Sequence, residues 1–210
     1  MRVFLPVVAA VFLVGRESFG GVAPVKLSAD AVRLFETQPS VKPGSVVFRI
    51  ERLALRVAKT DEGTARMAGD IEKALFKVRQ TPYALAAIKY DVRRAVEELE
   101  LRLLSDAVQT NNEARDILAA VRKDSAAAHA AGKLSLAVKK MSVSADKAAD
   151  LAWDLRGEIS ALPYYDRWLS AAMEQLRDKS FSLKYEIQNL NKISQDIIQK
   201  AAHGRLPSRN

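Results

Sequence analysis

The stretch "LSLAVKKMSVSADKAADLAWDLRGEISAL", Leu134 to Leu162, decides the fold class. Apolar residues recur in steps of four and three without exception through Leu134, Val138, Met141, Ala145, Ala148, Ala152, Leu155, Ile159 and Leu162. A helix places such a series on one face, whereas a strand would require a period of two. The three alanines in the middle leave room for a neighbouring helix to approach closely.

Three more stripes flank it. Ser45, after Pro43-Gly44, is a candidate N-cap for a first helix carrying Val46, Ile50, Leu53, Val57, Met67, Ile71, Leu75 and Val78, with a polar gap at Thr60 and Thr64. Thr81-Pro82 reads as the end of that helix and the capped start of a second. The second bears Leu85, Ile88, Val92, Val96, Leu99 and Leu103, then Ile117, Leu118 and Val121, with a polar middle "QTNNEA" that marks a kink or break near Asn111. Gly132 is the next expected break. Pro163 ends the third stripe, and a fourth runs Leu169, Ala172, Leu176, Leu183, Ile187, Leu190, Ile197 and Ala201 before Gly204 and Pro207. Helices of roughly 30 to 45 residues make rods of about 45 to 65 Å. Short connections make chain neighbours antiparallel, so the expected fold is all-α: an elongated up-down-up-down four-helix bundle over residues 45–204.

Composition agrees, with 9 Gly and 7 Pro in 210 residues and acids mixed with bases along the chain. Arg2 followed by the apolar run Val3 to Val14 reads as a signal or thylakoid-transfer segment over 1–20, with an uncleaved anchor as the alternative. Ser18 and Gly20 frame a cleavage point before Gly21. Residues 21–44, with Pro24, Pro39, Pro43 and Gly44, read as an extended N-terminal arm in which Ser28 caps a short helix to about Thr37; residues 205–210 form a tail. Loss of 1–20 removes Arg2, Arg16 and Glu17 and leaves a net charge of about +7, down from +8. A positive protein outside the cytoplasm points to an acidic protein surface or anionic lipid as partner. There is no cysteine and no Asn-x-Ser/Thr sequon, which disfavours a cell-surface protein of the secretory pathway but not an organelle lumen or a periplasm.

The chain carries little that suggests catalysis. His129 and His203 have no carboxylate at ligand spacing, and no phosphate loop, nucleophile elbow or dinucleotide fingerprint occurs. Asp61-Glu62 and Glu97-Glu98 read as solvated helix faces, Glu98 having Arg102 four residues on. The expectation is no enzyme activity, no metal, no cofactor and no small-molecule substrate. Basic doublets at Arg93-Arg94, Arg122-Lys123 and Lys139-Lys140 lack interleaved aromatics, so no nucleic-acid partner is expected either.

One pattern occurs twice. Lysine, tyrosine, acid and a β-branched residue follow an apolar residue at Ile88–Val92 and at Leu183–Ile187. In each copy the tyrosine falls two places after a stripe residue, about 200° round the helix, and so points away from the core. Tyr90 and Tyr185 either cover the flank of a neighbouring helix or belong to docking faces with Lys89, Arg93 and Arg94 on one side and Arg177, Lys179 and Lys184 on the other.

Leu176, Arg177, Leu183, Lys184, Tyr185, Glu186 and Ile187 match without a gap a pattern on one bundle helix of the PsbQ-like extrinsic proteins of photosystem II. Trp168 stands one residue out of register with that family's upstream tryptophan, and "ADKAADLAWDLRGEIS" (145–160) is similar to the family's first bundle helix. The resemblance covers about 60 residues near the C-terminus, with the Tyr90 copy as a partial second. It implies a non-enzymatic subunit of the thylakoid lumen, peripheral on the membrane, docked on an acidic lumenal surface of a photosystem and supporting the oxygen-evolving complex without ligating its metal. The rival readings are a secreted, periplasmic or surface-exposed helical coat protein of a protist or bacterium, and a lipid-surface binder using amphipathic helices.

Overall fold

The structure, a computed structural model, describes residues 44–164 and 166–204. Within them are four helices and no strand. Helix α1 is Val46–Gln80; α2 runs as Leu85–Glu98, a π-helical turn at Leu99–Leu103, and Leu104–Ala120; α3 is Ser125–Ser160 and α4 is Arg167–His203. At 1.5 Å per residue each is about 55 Å long. None of these helices is long and apolar enough to cross a membrane. The leader at 1–20, the arm up to residue 43 and the tail at 205–210 lie outside the described residues.

Capping sets the helix ends. Ser45 accepts from the Phe48 N–H at 3.2 Å, as expected of an N-cap, and Gly204 closes α4 with φ +75°, its N–H donating to the Lys200 carbonyl. Two connections differ from the sequence expectation. Thr81 closes α1, its hydroxyl donating to the Lys77 carbonyl, and α2 begins only at Leu85. The turn from α2 to α3 lies at Val121–Asp124. Asp124 caps α3 by accepting from the Ala126 N–H at 2.9 Å, so the alanine run continues through Gly132 as helix.

Cross-helix pairs give the directions. Arg56–Glu113 and Lys77–Asp91 make α1 and α2 antiparallel, and Gln195–Ser135 and Arg156–Glu174 do the same for α3 and α4. Glu51–Lys133 and Glu72–Lys147 make α1 parallel to α3, while Lys89–Asp166 and Asn111–Glu186 make α2 parallel to α4. The chain thus runs up, down, up, down, as expected. The neighbours round the bundle, however, are α1, α3, α4 and α2 in turn, with α2 and α3 on a diagonal. The alanine stripe of α3 explains how α3 packs against both α1 and α4.

One core runs the length of the bundle and includes Val92, Leu99, Leu155, Ile159, Leu176, Leu183 and Ile187. The polar gap in α1 belongs to it: Thr60 and Thr64 are buried, their hydroxyls donating to the Arg56 and Thr60 carbonyls. The second helix does not break near Asn111, the alternative to a continuous helix there. Asn111 is buried and donates to both the backbone and the side chain of Glu186, which holds α2 in place where its sequence is most polar. The irregularity lies instead at Leu99–Leu103. The buried positions Ala95, Leu99, Leu103 and Ala107 follow three successive steps of four, each turning about 40° past a full circle, and the wider π turn absorbs that drift.

Candidate docking faces

The two copies of the repeated pattern hold equivalent places. Ile88 and Val92, like Leu183 and Ile187, lie in the core. Taking the midpoint of positions one and five as the inward direction, positions two and four stand about 80° to either side and position three points straight out. The lysine reaches one flank, Lys89 to Asp166 at 2.5 Å and Lys184 to Asp146 at 2.9 Å. The acid reaches the other, Asp91 accepting from Lys77 at 2.5 Å and Glu186 from Asn111 Nδ2 at 2.6 Å. Tyr90 and Tyr185 are 60% and 62% exposed. Packing therefore accounts for four of the five residues and leaves the tyrosine unexplained.

The other bases assigned to these faces are also paired. Arg93 donates to Glu97 at 2.8 Å; Arg94 lies 3.4 Å from Asp70, its guanidinium 5.8 Å from the Tyr90 ring centre. Arg177 meets Glu174 at 2.7 Å and Asp178 at 2.6 Å, and Lys179 meets Glu100. The hydrogen bond to Asp146 raises the Lys184 pKa, that to Asp178 raises Arg177, and those from Lys89 and the Leu169 N–H lower Asp166. The two copies do not merge into one face. Lys89 stands level with Asp166, and Tyr185 is 19 residues further along α4, about 28 Å away.

Two aromatic residues not assigned from sequence belong beside Tyr185. Trp153 of α3 and Phe181 of α4 meet edge to face with ring centres 6.4 Å apart, and both remain substantially exposed. Phe181 lies one turn before Tyr185 on the same outward side, and Arg156 stands 5.9 Å over Trp153. The signal in the sequence was the off-stripe position of both rings. On the Tyr90 side, Lys89 lies 5.9 Å over the half-exposed Trp168. Both faces thus combine exposed rings with bases already neutralised by acids.

Of the dismissed acids, Asp61 needs correction. It is buried rather than solvated, accepting from Ser144 Oγ at 2.6 Å with Lys140 at 3.5 Å, because α3 packs on that side of α1. Glu62 is exposed, and Glu98 pairs with Arg102 as expected. His129 and His203 are exposed. No group of three or more His, Asp or Glu placed to hold a metal occurs among the described residues. No family model, curated protein or solved structure matches this chain.

Proposed function

We propose that the protein is a non-enzymatic extrinsic subunit that docks on an acidic lumenal surface of a membrane-bound photosystem, photosystem II by its resemblance to the PsbQ-like proteins. The observation that carries this reading is the outward presentation of Tyr90 and Tyr185 at equivalent places, each on a helix whose flanking lysine and acid are held by neighbours. Rings of this kind beside neutralised arginines suit the core of a protein interface, which is rich in Tyr, Trp and Arg and poor in unpaired charge. The net positive charge of the chain suits long-range attraction to an acidic partner.

The test is a reconstitution on chlorophyll-containing membranes. The expected result is that the protein copurifies with them, leaves in folded form in molar salt as the Debye length falls from roughly 10 Å to 3 Å, and rebinds at low salt. Tyr90→Ala with Tyr185→Ala keeps the fold, since neither ring is in the core, and weakens rebinding by about tenfold or more. Equal rebinding of the wild type and the double variant removes the tyrosine faces from the interface. Failure of the wild type to fractionate with these membranes overturns the photosystem reading.

A further inference from the structure

Ion pairing divides the bundle into two unlike ends. A plane through Asp61–Ser144 and Asn111–Glu186 cuts it near mid-length. On the side holding the α2–α3 turn lie residues 45–60, 110–141 and 187–204, with twelve Lys and Arg against five Asp and Glu. The other half of the bundle has fourteen against seventeen. In the first half Arg52, Lys59, Arg115, Lys139 and Lys192 are exposed and form no ion pair among the described residues, whereas most bases of the second half are paired. From Ser125 to Ala145 helix α3 carries no acid at all.

We infer that this basic end is a binding surface for an anionic lipid bilayer. Its bases come from all four helices and surround this half of the bundle instead of lining a cleft, with Lys59 and Lys139 about 20 Å from the tip. Exposed aliphatic and aromatic side chains sit among them, Leu136 at 69%, Leu55 at 61% and Phe48 at 37%. Lys and Arg around protruding apolar side chains match the headgroup layer, where the base meets phosphate and the apolar group enters the acyl boundary. The chain also enters and leaves the bundle at this end. Basic charge and exposed apolar side chains on the same half of the bundle are two signals that together hold a peripheral protein on an anionic bilayer. Tyr90 lies in the other half and Tyr185 beside the dividing plane, about two turns before Lys192, and the inference does not rest on the photosystem reading.

The experiment is sedimentation of the full chain with phosphatidylcholine vesicles, with and without phosphatidylglycerol, across a salt series. The patch variant combines R52Q, K59Q, K139Q and K192Q. The control removes the same charge from the other half, with K73Q, R93Q, K147Q and R167Q. Circular dichroism melts confirm that both remain folded. The expected result is salt-labile binding of the wild type to phosphatidylglycerol vesicles only, reduced about tenfold or more in the patch variant and little changed in the control. Equal loss in both variants would assign the effect to net charge, and equal binding to neutral vesicles would assign it to apolar contact alone; either overturns the inference. Capture by polyglutamate without any vesicle binding overturns it too and names an acidic protein surface instead.

Discussion

Gly63 of α1 lies directly under Leu103 in the π turn of α2. A methyl group on Gly63 would stand 2.9 Å from Leu103 Cδ2 and would overlap the Arg102 guanidinium that pairs with Glu98. Leu103 is fully buried, so any shift of its side chain must displace other core residues. Gly63→Ala should therefore destabilise the bundle by about 1–3 kcal/mol, overcoming a gain of about 1 kcal/mol in helix propensity. Gly69, six residues on in the same helix, has open space around it, and Gly69→Ala should stabilise by about 0.5–1 kcal/mol. Urea melts of the two variants check this; shifts of the same sign would sink the close approach at Gly63.

The boundary between α2 and α3 has its own pair of substitutions. Gly132 sits inside α3 with nothing near its missing Cβ, so Gly132→Ala should stabilise by about 0.5–1 kcal/mol. Asp124 caps the helix, and Asp124→Ala should cost about 0.5–2 kcal/mol. A destabilising Gly132→Ala would restore the turn at that glycine.

Asp166 links α4 to α2 through Lys89 and also caps α4 through the Leu169 N–H. Both bonds favour the carboxylate and hold its pKa below the ordinary range. The contribution is therefore full above the unfolded carboxylate pKa and is lost as pH falls through the lowered folded value. Asp166→Asn should lower Tm at neutral pH, and its Tm should approach that of the wild type in strong acid. A constant difference at every pH would show that Asp166 contributes through packing alone.

Leu183 and Ile187 bracket the exposed Tyr185 and are each about 1% exposed. Replacing either by Ala removes buried methyl groups from the centre of the bundle and should cost about 2–5 kcal/mol. Tyr185→Ala, two positions from each of them and on the outward side of the helix, should change stability by less than about 0.5 kcal/mol. Comparable losses at all three positions, read from thermal melts, would contradict the outward placement of the tyrosine.

The periodicity of apolar residues was enough to read four helices and most of their core, because each helix must bury one face whatever covers it, and the short connections gave their alternating direction. Ser45 and Gly204 were legible for the same kind of reason, since caps act within one turn of their own chain. The same local signals misled at Gly132 and Asn111. A glycine with open space and helical neighbours is tolerated within a helix, and a polar residue such as Asn111 can be buried once Glu186 of another helix accepts its hydrogen bonds.

The repeat at Ile88–Val92 and Leu183–Ile187 shows where reading along the chain stops. The outward direction of each tyrosine followed from helix geometry alone. Whether the lysines beside them were free for a partner depended on Asp166 and Asp146, which come from other elements and which only packing brings within reach. The same holds for neighbour order, since four apolar stripes can be arranged in several ways and the stripe itself does not name its partner. It holds for the basic end as well. Composition determined the net charge of +8, but only the folding back of three connections brings residues 45–60, 110–141 and 187–204 together and concentrates the unpaired bases at one end.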